Sequence, residues 1–579
     1  MVIPLYFCKI RDALIGSVYK DSIDKSRPLE LPVALFFLCV FGYCAYLAAM
    51  QPEWVLRGEM WAEMASNYFL NAKANSYVVR LFAADAGYVP LPQRLIALTG
   101  GILNLPAAAI PYFYTWSAIL ITGALVGSFC LRPFRVLVQS DWLRFLVAIS
   151  ILLVADFETR TFINFTYFVA FFVAVVSSLA FVQRSTQVPW WAWCIPVLMV
   201  SKPALLSVLP TMVMAALVSQ SRFRRIVFVT LIVSALHISF MMYTQSPTSA
   251  NIAKSFGFAE KLWAAIQYFL GFAGAFSVGK GFRLSPATAM VWGLIFLSLC
   301  SYVIYTRKSA ANALLVVGLS LLFFNNCLNT FALTNTWNTD LVQLAGSMVQ
   351  RHILVGTSGF LLVVAGLIES LSESPGIKAI SRKFHFGPAI FSLWFILSGW
   401  LVFAHGANRA PGVPAIFNSQ WQLMSGAIDT NEPVCVPVDP IGWIFERSCR
   451  LLNSEVSWGK TYVFKPLMTT GRWAKLSVEL PDFAPNVSLR SMAILARPLS
   501  AHPSTLSATA VFHMKDGSSR YLRGARLFPV AGGLIHLTGD GVFPFGGAHE
   551  ISLEFDGPVE VGYLEAGSSS KPAIIWMGH

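Results

Sequence analysis

Carboxylates are scarce in this chain: 29 Asp and Glu stand against 42 Lys and Arg in 579 residues. Where they gather, their spacing suggests chemistry. The stretch GEMWAEMASNYF, residues 58–69, carries Glu59 and Glu63 four apart. On one helix they share a face. Like charges there repel unless a bound cation or an incoming proton gives the pairing a reason. Asp85 follows, just before a Gly-Tyr-Val-Pro turn. A second group is ADFETRTFINF, residues 155–165, with Asp156, Glu158 and Arg160. Two carboxylates and an arginine within five residues suit a divalent cation (Mg or Mn) or a phosphate. A third group is basic or mixed: Lys202, Lys280 and Arg283 in GKGFRL, then Arg351 and His352. Cations at span ends can snorkel to the membrane surface. They can equally hold a lipid phosphate, which Arg does through its planar fork. For His352 a satisfied structural histidine is the plainer reading.

The elements that must position these groups follow from composition. Hydrophobic residues make up 56% of the chain and charged ones only 12%, against about 25% charged in an ordinary soluble domain. Mean hydropathy is +0.61. This excludes a disordered chain, a disulfide scaffold and a soluble nucleic-acid binder, and leaves a polytopic α-helical membrane protein. The net charge of +13 then belongs to cytoplasmic loops. Eleven spans are expected, at 31–50, 110–131, 143–155, 163–182, 189–200, 203–218, 226–245, 289–305, 313–333, 352–371 and 387–405. Those at 143–155, 189–200 and 203–218 are short of the ~20 residues a perpendicular helix needs. Residues 189–218 also fit a re-entrant hairpin broken at Ser201-Lys202-Pro203. The 246–288 connection contains the apolar piece EKLWAAIQYFLGFAGAF, expected as an interfacial or re-entrant helix.

With the N-terminal segment 1–28 inside, the inner connections hold Arg132, Arg135, Arg184, Arg222, Arg224, Arg225, Arg307, Lys308, Lys378, Arg382 and Lys383. The long first outer loop, 51–109, has only Arg57, Lys73, Arg80 and Arg94. The basic-residue rule and an odd span count therefore agree on an outer C-terminus. From 408 to 579 the pattern changes to period-two alternation, as in KLSVEL and ISLEF, with turn signals at Asp516-Gly517 and Asp540-Gly541. This reads as a β-sandwich-like domain. Cys435 and Cys449 fall there, and in an oxidising compartment they can form a disulfide. The other seven cysteines lie in or near apolar runs and read as small fillers.

The plan resembles the GT-C superfamily of integral-membrane glycosyltransferases, mainly over residues 31–220. GEMWAEMASNYF is similar to the acidic helix after the first span of bacterial lipid A aminoarabinose transferases and protein mannosyltransferases. YVPLPQRLIAL, residues 88–98, resembles a Tyr-x-Pro-Leu segment of the same loop. The Asp-Glu pair that opens that motif falls on Arg57-Gly58 in an ungapped alignment, so Glu59 is a shifted substitute. The layout also resembles phage and bacterial O-antigen glucosyltransferases. The resemblance implies a bacterial inner membrane, with 29–407 as the glycosyltransferase-like domain and 408–579 periplasmic. It implies a polyprenyl-phosphate sugar as donor and a glycan, lipid or protein as acceptor, with no nucleic-acid partner. A carboxylate would take the acceptor proton: Glu59 first, Glu63 second, Asp85 as helper. Arg160, Lys202, Lys280, Arg283, Arg351 and His352 would serve the lipid phosphate. Asp156 and Glu158 would hold a metal. Direct displacement would invert the anomeric centre. The competing readings are a flippase or transporter of lipid-linked glycans, an O-antigen ligase or polymerase, and a non-catalytic scaffold.

Overall fold

Uniformly apolar sequence sets the architecture. ELPVALFFLCVFGYCAYLAAM has no polar face, and such a helix is stable in lipid or in a large core; it forms helix Glu30–Met50. The computed structural model describes residue 9 and residues 11–15, 30–182, 188–219, 221–244, 257–332, 351–372, 386–407 and 420–430, and, beyond these, the strands of the C-terminal region with their short turns. Among them, seven helices are long and apolar enough to cross a membrane: Leu31–Met50, Ala107–Val136, Phe165–Val182, Arg222–Thr244, Pro286–Thr306, Asn312–Phe331 and Arg351–Ser372. The chain is a helical membrane-type protein with a C-terminal sheet.

Four of the eleven expected spans fall short of the length a perpendicular crossing needs. Residues 143–155 form Asp141–Val154, 14 residues long. The runs at 189–200 and 203–218 form Trp190–Met199 and Pro203–Val218, separated where Pro203 removes a backbone donor. The run 387–405 divides into Phe386–Leu397 and Trp400–Ala407, because Gly399 turns at φ +77°. The interfacial piece is instead a full helix, Phe258–Val278, of 21 residues. It packs antiparallel on Pro286–Thr306 so closely that a Cβ on Gly274 would overlap the Ala289 carbonyl, and one on Gly293 the Leu270 carbonyl. Glycine serves here for close backbone approach, the usual device between helices in lipid.

The chain divides into two compact units. The first comprises 1–50, 81–95 and 117–410 and is a helical bundle. One core cluster in it joins Cys300, Val303, Leu315, Val363 and Leu367. The second comprises 51–80, 96–116 and 411–579. Residues 51–80 and 96–109 thus belong to the unit that holds the C-terminal strands, across the domain boundary expected at 407–408. Helix Gln420–Asp429 anchors them. The indole of buried Trp421 donates to Ala107 O at 2.7 Å, and its ring meets Phe69 and Phe445, each at 5.2 Å. Asp429 accepts from Ala107 N at 3.0 Å.

The strands of the second unit bond into one nine-stranded antiparallel sheet and two two-stranded pairs. Among the described residues the main strands thus form one continuous bonded sheet, where a sandwich has two separately bonded ones. KLSVEL and ISLEF are partners in the sheet: Ile551 pairs with Val478 and Leu553 with Leu476. Asp516-Gly517 is the expected turn, with Gly517 at φ +82° between Ser504–Met514 and Ser519–Phe528. Asp540-Gly541 is not a turn. It lies within strand Gly533–Pro544, where the register shifts between Thr538 and Phe543; a bulge uses the same small, turn-prone residues. Cys449 lies outside the described residues, and so does the proposed Cys435–Cys449 bridge.

Candidate functional site

The helical unit assembles a cationic, aromatic-lined cluster from five stretches of chain. The first is a tight turn at Asp85-Ala86-Gly87-Tyr88. Asp85 N donates to Tyr88 O at 2.8 Å and Tyr88 N to Asp85 O at 3.1 Å. Ala86 sits at φ +47° and Gly87 at φ +84°, the two left-handed residues a primed hairpin turn requires. Gly87 meets that demand freely; Ala86 adopts it against its own preference. Asp85 and Tyr88 are both buried.

The turn is fixed on every side. Val89 N donates to His237 Nε2 at 3.1 Å, which makes that nitrogen an acceptor. Leu91 N donates to Val200 O at 2.9 Å, and Thr244 Oγ1 to Gly87 O at 2.8 Å. Helix Leu91–Ile102 starts immediately after Pro90. From its first turn Gln93 donates to Ile163 O at 2.8 Å, and Arg94 donates twice to Ala83 O, at 3.2 and 2.9 Å. The polar residues of YVPLPQR are therefore pins that hold the turn against the bundle.

Lys202 comes from the second stretch, the break between Ile195–Met199 and Pro203–Val208. It is only 4% exposed. Its ammonium donates to the Tyr88 hydroxyl and lies 4.8 Å from the Tyr88 ring centroid and 6.0 Å from that of Tyr167. Both distances fall within cation–π range. Tyr167, on the short helical turn Phe165–Phe168, stands edge-on to His352, with ring centroids 6.3 Å apart. His352 opens helix Arg351–Ser372. The charges of Arg351 and Lys202 both act on its ring. Arg351 is paired with Glu158, which rides on the one-turn helix Phe157–Arg160. This pair remains partly open, with Arg351 38% and Glu158 46% exposed. Lys202, expected from sequence in the break between two short spans, thus shares one neighbourhood with Arg351 and His352, expected at the start of another. Lys202 and Arg351 bring two cations to this neighbourhood, together with the Glu158 carboxylate and, on the turn that carries Tyr88, that of Asp85.

Other expected residues are placed elsewhere. Asp156 is the N-cap of Phe157–Arg160 and accepts from Thr159 N and Oγ1 at 2.9 and 2.5 Å. With Glu158 on Arg351, these two carboxylates have separate duties and do not form the expected cation site. Among the described residues, no three or more His, Cys, Asp or Glu side chains gather in metal-binding geometry. Arg160 is buried and donates to Leu152 O and Leu153 O at 2.9 and 2.8 Å, which caps the end of Asp141–Val154. Arg283 is exposed.

Lys280 is held apart, in a cage of Phe276, Trp400 and Phe403, whose ring centroids lie 5.0, 5.4 and 4.6 Å from its ammonium. Gly279 at φ +111° and Gly399 at φ +77° let the two backbones interlock beneath it, with Gly281 N donating to Ser398 O at 2.9 Å. Burial pushes the Lys280 ammonium down to about 7, while the three ring faces favour its charged form.

Glu59 and Glu63 belong to the second unit, and they do not share a helix face. Helix Pro52–Leu56 ends before Glu59. Gly58 at φ +70°, just before Glu59, and Ala62 at φ +44°, between the two carboxylates, break the helical path. Glu59 is buried in this break. Glu63 precedes Met64–Phe69, a single π-helical turn, a form that is rare and frequent at functional sites. Gly58 also allows close packing, since a Cβ there would meet the Tyr112 ring and Gln422.

No protein-family model, curated protein or solved structure matches this chain.

Sequence reasoning passed over Tyr167 and the buried amides Asn325, Asn326 and Asn329. The tyrosine carried no signal beyond its place in an aromatic run. The run Asn325-Asn326-Cys327-Leu328-Asn329-Thr330 inside an apolar helix was a usable one, because polar residues within spans are costly and tend to be functional. Sequence also passed over a buried triad. Asp141 accepts from Arg135 at 2.8 and 2.5 Å and from Arg144. Arg144 further donates to Val138 O and to Cys130 O, the latter at 3.2 Å.

Proposed function

We propose that this chain is a membrane glycosyltransferase that moves a sugar from a polyprenyl-phosphate donor to a glycan, lipid or protein acceptor. The observation that carries the reading is the cluster of Lys202, Tyr88, Tyr167, His352 and Arg351. Its cations and hydroxyls are of the kind that hold a phosphate, and its rings suit the first isoprene carbons beside it. In the reaction the acceptor oxygen bonds to the anomeric carbon as the bond from that carbon to the phosphate oxygen breaks. The electron pair leaves with the phosphate, whose growing charge Lys202 and Arg351 stabilise. The acceptor proton passes to a carboxylate. Glu59 is first in that role, with Glu63 and Asp85 as the other candidates, and a single displacement inverts the anomeric centre. The setting is the bacterial inner membrane, with the C-terminal strands on the periplasmic side.

Surface glycans and glycoproteins of cells carrying wild-type chain or Glu59→Gln can be compared by mass spectrometry. The expected result is loss of a sugar-sized mass in the variant at unchanged protein abundance. Full transfer by Glu59→Gln removes Glu59 from the role. A second reading, a transporter of lipid-linked glycans, draws on the helix broken at a buried lysine, a recurrent feature of transporter binding sites. It expects lipid-linked precursor to accumulate on the inner leaflet when the gene is removed.

A further inference from the structure

Beside the cationic cluster, helix Asn312–Ala332 ends in a run of buried side-chain amides. Asn325, Asn326, Asn329 and Thr330 are all at most 6% exposed. Two of them are satisfied within their own helix: Asn326 donates to Leu322 O at 2.9 Å and Thr330 to Asn326 O at 2.7 Å. The other two form a ladder. Asn329 Nδ2 donates to His352 O at 2.9 Å and to Asn325 Oδ1 at 3.3 Å. Asn325, one turn deeper and 2% exposed, has no partner for its own Nδ2 among the described residues. Space for this amide is provided by the facing helix. A Cβ on Gly356 would come within 3.1 Å of Asn325 Oδ1.

An amide buried in an apolar bundle with an idle donor is destabilising, since desolvation is not repaid by a bond. If the ladder served only to join two helices, the deepest amide would be bonded across them. It is instead left with an open N–H one helical turn from the residue bonded to His352. We propose that Asn325, held by Asn329, is a hydroxyl-recognition subsite for the sugar of the donor, adjoining the phosphate cluster. An amide offering a donor beside its partnered acceptor suits a ring hydroxyl, which can both accept and donate. This rests on the glycosyltransferase reading and specifies which part of the donor the chain senses.

Full-length chain in nanodiscs can be titrated with bare polyprenyl phosphate and with polyprenyl-phosphate glucose, mannose, galactose and arabinose. Wild-type chain should bind at least one sugar-loaded lipid more tightly than the bare phosphate. Asn325→Leu should erase that preference, a loss of about five- to tenfold, the size of one hydrogen bond, and leave bare-phosphate binding unchanged. Gly356→Ala, which crowds the amide without removing it, should act in the same direction. Lys202→Met should weaken both classes of lipid. Thermal unfolding supplies the independent readout. A subsite predicts that Asn325→Leu unfolds at the same or a higher temperature than wild type, because an idle buried donor is gone. A helix-joining role predicts a lower temperature.

Equal binding of bare and sugar-loaded lipids by wild type, or an unchanged preference in Asn325→Leu, overturns the subsite and leaves the phosphate cluster standing. No binding of any lipid phosphate overturns the glycosyltransferase reading and the subsite together.

Discussion

Two carboxylate–guanidinium centres in the helical unit invite comparison. At the first, Asp141 lies between Arg135 and Arg144, with side-chain exposures of 5%, 6% and 0%. Arg144 also donates to the carbonyls Val138 O and Cys130 O. Asp141 also opens helix Asp141–Val154, where a negative charge complements the backbone dipole. At the second, Glu158 meets Arg351 with both side chains over a third exposed, and Lys202 and His352 stand close by. Composition hardly separates the two, because each is an acid among cations. What differs is closure. The first centre is sealed and bonded inward, so it holds the fold. The second is open on one side, so it has capacity for something that arrives.

The contrast can be broken most sharply at Asp141. Asp141→Asn removes the charge that Asp141 sets against two buried guanidiniums, and loss of about 3–5 kcal/mol of stability is expected when one partner of such a group is removed. The readout is yield and unfolding temperature in detergent. A variant as stable as wild type would show that the triad does not hold the helix start.

An intermediate effect is expected at Lys280 in its aromatic cage. Its folded value near 7 lies below the unfolded lysine value of about 10.4. Between those two pH values the unfolded chain binds a proton that the folded chain does not, so stability rises with pH across the window and is lowest below pH 7. Unfolding temperatures measured from pH 6 to 10 should rise less steeply in Lys280→Met than in wild type. Parallel curves would mean that the cage keeps the ammonium charged throughout.

The smallest change belongs to Glu158→Gln. Exposed ion pairs contribute at most about 1 kcal/mol, so the unfolding temperature should barely move. The freed Arg351 should bind polyprenyl phosphate about two- to threefold more tightly, and more so at low salt, because screening of exposed charges grows with ionic strength. Weaker binding would mean that Glu158 positions Arg351 and does not compete with its ligand.

Sequence alone made the long elements legible. The seven apolar helices in the structure fall on seven of the eleven expected spans, since twenty apolar residues in a row have few other places to go. Three of the other four runs were already short in sequence, and the fourth, 387–405, is divided at Gly399 by a positive φ that hydropathy does not register. The same blindness hid the site geometry. Glu59 and Glu63 looked like neighbours on a helix because their spacing is four, but Gly58 and Ala62 turn the chain through left-handed conformations. Lys202, Arg351 and His352 were legible as residues and not as a cluster, because Tyr88 and Tyr167, which join them, look like ordinary aromatics. Period-two alternation marked KLSVEL and ISLEF as strands. It said nothing of how many sheets they join, which depends on pairings between distant segments.

The Trp421 anchor bears on how the chain is made. Its hydrogen bond to Ala107 O spans 314 residues of sequence. At typical synthesis speeds of about 5–20 residues per second, the segment around Phe69 and Ala107 waits roughly 15–60 s before its partner leaves the ribosome. Throughout that interval this early stretch is translated but uncovered, with its aromatic side chains and the Ala107 carbonyl unmatched. A chain truncated anywhere before Trp421 prolongs that exposed state indefinitely. Trimming the chain back before helix Gln420–Asp429 would therefore produce an unfinished folding intermediate.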